Sequence, residues 1–170
     1  MNTLLQEPRF DFISPEDKVF MVAFNDEMAR LGYDFGNKIG DGYCWGKYMV
    51  IYTRTGVKSK NAYARLYLRE PRIILRLFLN GIDQHRVFLE SAPAHIKEVF
   101  TGPFGDCEHC HNQKKDGRCQ FRKTYTLDGR LIEKCNGNTF WFFNPIVERL
   151  DEYMALFTEF YPARSRKGNS

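Results

Sequence analysis

The chain has 170 residues, of which 43% are apolar and 27% charged, and a net charge of +4. That length supports a hydrophobic core without help from disulfides or metal, and the composition excludes a disordered chain, a collagen-like repeat and a coiled coil. No stretch approaches the roughly 18–20 consecutive apolar residues of a membrane span, residues 1–11 lack the basic-then-apolar pattern of a secretory leader, and the charge is too small to indicate a nucleic acid by itself; the expectation is one cytoplasmic domain with no membrane contact.

The first element announces itself through its start. Ser14-Pro15-Glu16-Asp17 supplies a hydroxyl cap, a proline with preset φ at the first helical position, and acids in the first turn. Phe20, Phe24, Met28 and Leu31 follow at helical spacing with Val19 and Ala23 beside them, and Gly32 is a natural stop. Residues 15–31 are therefore read as an amphipathic helix. Residues 33–46 are rich in Gly, Asp and Asn and fit no phosphate-loop pattern; they read as a loop or lid.

Three strands follow, over residues 48–54, 62–69 and 72–79, divided by a polar turn at 55–61 and by Glu70-Pro71. Alternation puts Ala62, Ala64, Leu66 and Leu68 on one face, with Ile73, Leu75, Leu77 and Leu79 on the same face of the next strand. That is the expected core face. Tyr63, Arg65, Tyr67 and Arg69, then Ile74, Arg76 and Phe78, take the other, and Tyr48, Tyr52 and Arg54 share a face on the first strand. An antiparallel meander built this way presents a Tyr/Arg surface. Trp45, Tyr48, Tyr52, Tyr63, Arg65, Tyr67 and Arg76 are its candidate ligand-binding residues, because such surfaces stack rings and grip anions. The competing reading is ordinary sheet surface, with Arg stems lying across Tyr rings. Residues 84–90 fit a helix or a strand; Pro93 opens a helix with Ile96, Val99 and Phe100 inward. His85 and His95 read as surface or capping residues.

The strongest signal is the cysteines. Four of five, Cys107, Cys110, Cys119 and Cys135, fall within 29 residues at C-x2-C-x8-C-x15-C spacing. Outside an oxidising compartment such a set points to metal or redox chemistry rather than disulfides. A C-x-x-C knuckle aims two thiolates at one ion, and two further thiolates close a tetrahedral structural zinc site. Asp128-Gly129 is a two-residue hairpin signal. It sets Leu127 opposite Arg130 and Arg122 opposite Cys135, which brings Cys119 and Cys135 to the hairpin's open end. A regular strand would aim Cys119 at the other face, so the site requires a bend near residues 118–120. His109 and His111 flank Cys110 and are alternative ligands. A redox pair and an iron–sulfur cluster are the competing readings. Seven basic and four acidic residues lie between positions 107 and 135; four thiolates with one Zn²⁺ carry −2, which reduces the +3 to about +1. Cys44, beside Trp45, reads as a small buried hydrophobe.

Residues 139–143 form an apolar strand. Asn144-Pro145 is expected to cap a last helix carrying Ile146, Leu150, Met154, Phe157 and Tyr161 on one face. Pro162 stops it before a basic tail at 163–170. The fold class is thus α+β: an antiparallel β-meander flanked by N- and C-terminal helices, with a cysteine-rich zinc-binding loop and hairpin at 106–136, in a single domain over 1–162.

This order of elements, with residues 45–52, Val57-Lys58-Ser59-Lys60 and the Leu-rich third strand, resembles small bacterial α+β domains of unknown function that include the YdhG-like proteins. The likeness covers roughly residues 15–100 and 138–161, and the cysteine segment is similar to an insertion into that plan. Gly42-Tyr43-Cys44-Trp45-Gly46-Lys47-Tyr48 and Lys134-Cys135-Asn136-Gly137 resemble a narrower bacterial family. Neither likeness implies an activity.

Three functions follow as expectations. The first is a non-catalytic module with one structural zinc per chain, binding an anionic small molecule or partner through the Tyr/Arg face. A closed four-cysteine site leaves no position for an activated water, and no Ser/His/Asp set, nucleophile elbow or H-E-x-x-H is present. The alternatives are a nucleic-acid-binding regulator, whose affinity would fall steeply with salt, and a thiol redox sensor, which requires an exposed thiol of lowered pKa.

Overall fold

A computed structural model describes residues 1–58, 61–102, 122–135 and 138–162, with backbone only for Cys135. The fold is α+β, with an antiparallel sheet and flanking helices. The chain forms two compact units, one built from residues 1–77 with those from 142 onward, the other from residues 78–141.

In the first unit, helix α1 (Pro15–Arg30) begins as the sequence dictates, with the Ser14 hydroxyl accepting the Asp17 N–H at 3.2 Å. Phe20, Met21, Phe24 and Met28 are buried, while Val19 is exposed. The helix therefore rolls Met21 inward rather than Val19. Strands β3 (Tyr48–Arg54), β4 (Ala64–Leu68) and β5 (Ile74–Phe78) make the expected meander. Its register sets Val50 opposite Leu66 and Leu66 opposite Leu75. Leu66, Leu68, Ile73, Leu75 and Leu77 are wholly buried, as alternation requires of a core face, but Tyr67 and Ile74 on the opposite face are buried as well.

The stretch expected as a loop or lid at 33–46 instead contributes the sheet edge. Strands β1 (Tyr33–Asp34) and β2 (Ile39–Asp41) both pair with β3, at its two ends. Left-handed Gly36 and Asn37 interrupt them. Backbone pairing with β3 overrides the turn-like composition, and the interruption shortens an edge that would otherwise be open to further pairing. Gly42 and Gly46 close this corner. Lys47 N–H donates to the Leu68 carbonyl at 2.8 Å, and a methyl group on Gly46 would lie 2.8 Å from that same oxygen. A methyl on Gly42 would collide with the Gly46 carbonyl. Gly46→Ala should therefore cost about 1–3 kcal/mol by overpacking, read as a lowered urea midpoint at unchanged slope. A midpoint equal to the parent's would show that the backbones separate freely.

The last helix, α4 (Leu150–Phe160), starts later than Asn144-Pro145 implies. Asn144 takes a left-handed φ of 52°, and a 3-10 turn over Val147–Arg149 intervenes. Pro145 therefore turns the chain rather than opening the helix. Tyr153, Leu156 and Phe157 are buried, with Tyr153 meeting Phe20 of α1 and Phe157 meeting Tyr33 of β1 edge to face at 5.9 and 5.1 Å; Phe24 meets Tyr52 in the same way at 5.4 Å.

Burial raises the pKa of Tyr52, and it pushes Tyr161 up to about 12 from 10.0, with Tyr63 and Tyr33 adding to the effect. A raised folded pKa means that the unfolded chain releases the proton first. Stability is then intact below pH 10 and falls as pH rises towards 12. Tyrosinate absorbance should accordingly rise together with loss of the near-ultraviolet dichroism signal. Full tyrosine ionisation with that signal intact would contradict the buried arrangement.

The second unit contains α2 (Arg86–Ser91), α3 (Ala94–Thr101), β6 (Arg122–Leu127), β7 (Arg130–Cys135) and most of β8 (Thr139–Phe143). The ambiguous residues 84–90 are thus part 3-10 turn and part helix. Phe100 and Phe140 stack at 4.1 Å in its core, with Tyr125 and Leu127 buried beside them. Among the described residues, no helix is long and apolar enough to cross a membrane.

Candidate functional site

The hairpin has the geometry its sequence requires. Leu127 faces Arg130, and Arg122 faces Cys135. Asp128 and Gly129 both adopt positive φ, 49° and 69°. That pair of angles is the two-residue turn whose twist matches the strands, and it explains an Asp-Gly sequence there.

The rest of the second unit holds the hairpin at its turn and along its flank. At the turn, Asp128 N–H donates to Glu90 at 3.0 Å, Lys97 reaches Asp128 at 3.4 Å, and Thr126 N–H donates to the Asp83 carboxylate at 2.9 Å. Towards the open end, the Tyr125 hydroxyl donates to the Phe100 carbonyl at 2.5 Å and Lys134 Nζ to the Val99 carbonyl at 2.6 Å. Burial lowers the Lys134 pKa, and its ammonium lies 6.0 Å above the Phe140 ring. The basic character of 107–135 hid this role. Lys134 is a strut between β7 and α3 rather than a simple surface charge.

Of the four candidate metal ligands, Cys135 ends β7 at the open end of the hairpin. Cys107, Cys110 and Cys119, with His109, His111 and the bend expected near 118–120, lie outside the described residues. Among the described residues, no group of three or more His, Cys, Asp and Glu could hold a metal. Cys44 is exposed rather than buried, because the glycine-pinched turn of Tyr43–Trp45 turns it outward.

The seven candidate ligand-face residues do not form one surface. Tyr48 and Tyr52 face Leu68 and Ala64 across the ladder, and directly opposed residues share a face. Both therefore belong with the apolar side. Tyr52 is wholly buried against Phe24 and Phe35, and Tyr48 packs on Phe10 and Phe12. Tyr63 joins Tyr33 and Tyr161, beneath the Arg54 guanidinium. Trp45 lies in the corner turn, 42% exposed beside an 81% exposed Tyr43.

What the sheet does bring together is Arg65, Tyr67 and Arg76. Arg65 and Arg76 are directly opposed on β4 and β5, and each donates through Nη1 to the Tyr67 hydroxyl at 3.3 Å. Burial draws the Arg76 pKa below its ordinary value; the Tyr67 hydrogen bond works against this and the neighbouring Arg65 charge adds to it. Two cavities elsewhere hold none of the seven residues. One of about 520 Å³ borders β2 and β3 near Tyr43 and Met49, and one of about 310 Å³ borders Asn80, Gln84, Lys123 and Asn138.

No family model, no curated protein and no solved structure matches the chain.

Proposed function

We propose that this protein is a non-catalytic binding module whose hairpin is stapled by one structural zinc ion, held by Cys107, Cys110, Cys119 and Cys135, and whose sheet takes an anionic ligand. The observation that carries the metal reading is the hairpin register. With Arg122 opposite Cys135, Cys119 is three residues upstream of Cys135's cross-strand partner, a separation that one bend of the chain closes. The C-x-x-C spacing of Cys107 and Cys110 suits a knuckle supplying the other two thiolates. The role of the ion is to hold the open end of a two-stranded ribbon, which is marginal by itself, while Tyr125, Lys134 and Asp128 hold its flank and turn. Four thiolates satisfy the coordination of the ion, so its contribution is to folding rather than to hydrolysis.

Cys119→Ser is the direct test. The expected result is release of zinc to below about a tenth of the parent's content, together with a lowered melting temperature. Full zinc retention with an unchanged melting temperature would exclude Cys119 as a ligand and break the proposed set.

A further inference from the structure

We infer that the hollow beside Tyr43, on the Met49–Ile51–Thr53 face of β3, binds a small amphipathic amine, with its apolar body on the strands and its protonated amino group at Asp34. The inference goes beyond the metal and anion readings, because neither uses these residues. Register defines the hollow. Gly40 is directly opposite Met49 and Asp34 is directly opposite Thr53, and opposed residues share a face. Met49, Ile51 and Thr53 alternate onto one face of β3. Gly40 and Asp34 therefore mark the two ends of that face, about 13 Å apart. The cavity these residues border holds about 520 Å³, within the roughly 300–1,000 Å³ of small-molecule pockets. It exists because two side chains are missing. A methyl group on Gly36 or Gly40 would meet no atom within 4 Å outside the adjoining residues. A glycine inside a strand, as Gly40 is in β2, leaves room for a ligand to approach the backbone.

Tyr43 also borders this cavity. Its φ of 53° is a left-handed value that a bulky residue adopts at a cost, and its side chain stays exposed. An apolar body seated on Met49 and Ile51 gives that ring a partner. Charge decides the other end. Asp34 and Asp41 border the cavity against Lys38, a balance of −1 in a chain whose net charge is +4. Asp34 is half-buried, and one of its oxygens accepts the Gly36 N–H at 3.0 Å. Among the described residues, its other oxygen and the side chains of Asp41 and Lys38 have no hydrogen-bond or ion-pair partner. Arg65, opposite Ile51, is drawn along β4 to the Tyr67 hydroxyl and does not border the cavity. A half-buried carboxylate beside apolar surface attracts a cation more strongly than one in bulk water. The complementary ligand is apolar along most of its length and positive at one end.

The test is titration of the full chain with phenylbutylamine at pH 7, where an alkylamine is protonated, followed by NMR at the amides of Met49, Ile51 and Thr53. Phenylbutyrate, with the same body and the opposite charge, is the comparison. The expected result is saturable shifts with the amine and none with the acid. Gly40→Leu places a side chain in the hollow, at a position with open space and no left-handed φ. That variant should keep the parent's melting temperature and lose saturation. Asp34→Asn keeps an acceptor for the Gly36 N–H and removes the charge, so binding should weaken about tenfold. If Gly40→Leu loses its dispersed spectrum, Asp34→Asn carries the test. Shifts that never saturate with the amine, or saturation unchanged in folded Gly40→Leu, would overturn the site. Equal saturation by the acid, or unchanged affinity in Asp34→Asn, would overturn the cationic assignment. Zinc content enters none of these outcomes, so the metal reading stands or falls separately.

Discussion

Replacing Asp17 with Ala is expected to cost about 3 kcal/mol of stability, a fall of roughly 6–12 °C in melting temperature for a chain of this length. Asp17 is 1% exposed on the first turn of α1. One carboxylate oxygen accepts from Arg72 Nε at 2.8 Å, and the other accepts the buried Ile73 N–H at 3.1 Å. Arg72 also reaches the Pro145 carbonyl at 3.5 Å. A single side chain therefore ties the start of the helix to the chain entering β5. Removing it leaves a buried amide without its acceptor and Arg72 without its carboxylate. The partial exposure of Arg72, at 31%, keeps the expected cost at the lower end of what a broken buried pair gives. Asp17→Asn keeps an acceptor for Ile73 N–H and should cost about half as much. The measurement is urea unfolding of the three proteins. A loss below about 1 kcal/mol for Asp17→Ala would show that the helix start is held by its apolar stripe alone.

The second large effect concerns the metal. Chelation under reducing conditions is expected to destabilise the second unit by about 3–4 kcal/mol. That figure is the chain-entropy value for one cross-link closing the 29-residue loop from Cys107 to Cys135. It corresponds to roughly 10 °C in melting temperature. The loss should be local. Amides of β6 and β7 should exchange faster after chelation, while those of β3 and β4 should not, because β3 and β4 belong to the other compact unit. Zinc added back should restore both readouts. Uniform acceleration of exchange across both units, or none anywhere, would contradict a staple confined to the hairpin.

Where the sequence was legible, local chemistry and tertiary packing agreed. The Ser14 cap, the alternation through β4 and β5 and the Asp128-Gly129 turn each specify one geometry, and each occurs at the residues expected. Residues 33–46 have the composition of a loop yet pair as strands, because pairing to an existing strand needs only backbone groups, which glycines supply as well as any residue. The Tyr/Arg face was legible in part. Alternation within a strand gives the residues that share its face, but only the register between strands shows that Tyr48 and Tyr52 turn to the opposite side from Arg65 and Tyr67. The Asp17–Arg72 tie and the Lys134 strut were not legible at all. They join residues 55 and 35 positions apart, and nothing in the periodicity of either segment specifies a partner that distant.

The central claim is that four cysteines hold one metal ion at the open end of the hairpin. Elemental mass spectrometry tests it most directly, on protein purified under reducing conditions without a metal-affinity tag. The account predicts about one zinc per chain, with the thiols of Cys107, Cys110, Cys119 and Cys135 protected from alkylation until a chelator is added. Metal-free protein with all four thiols freely titratable would contradict it, as would iron accompanied by inorganic sulfide.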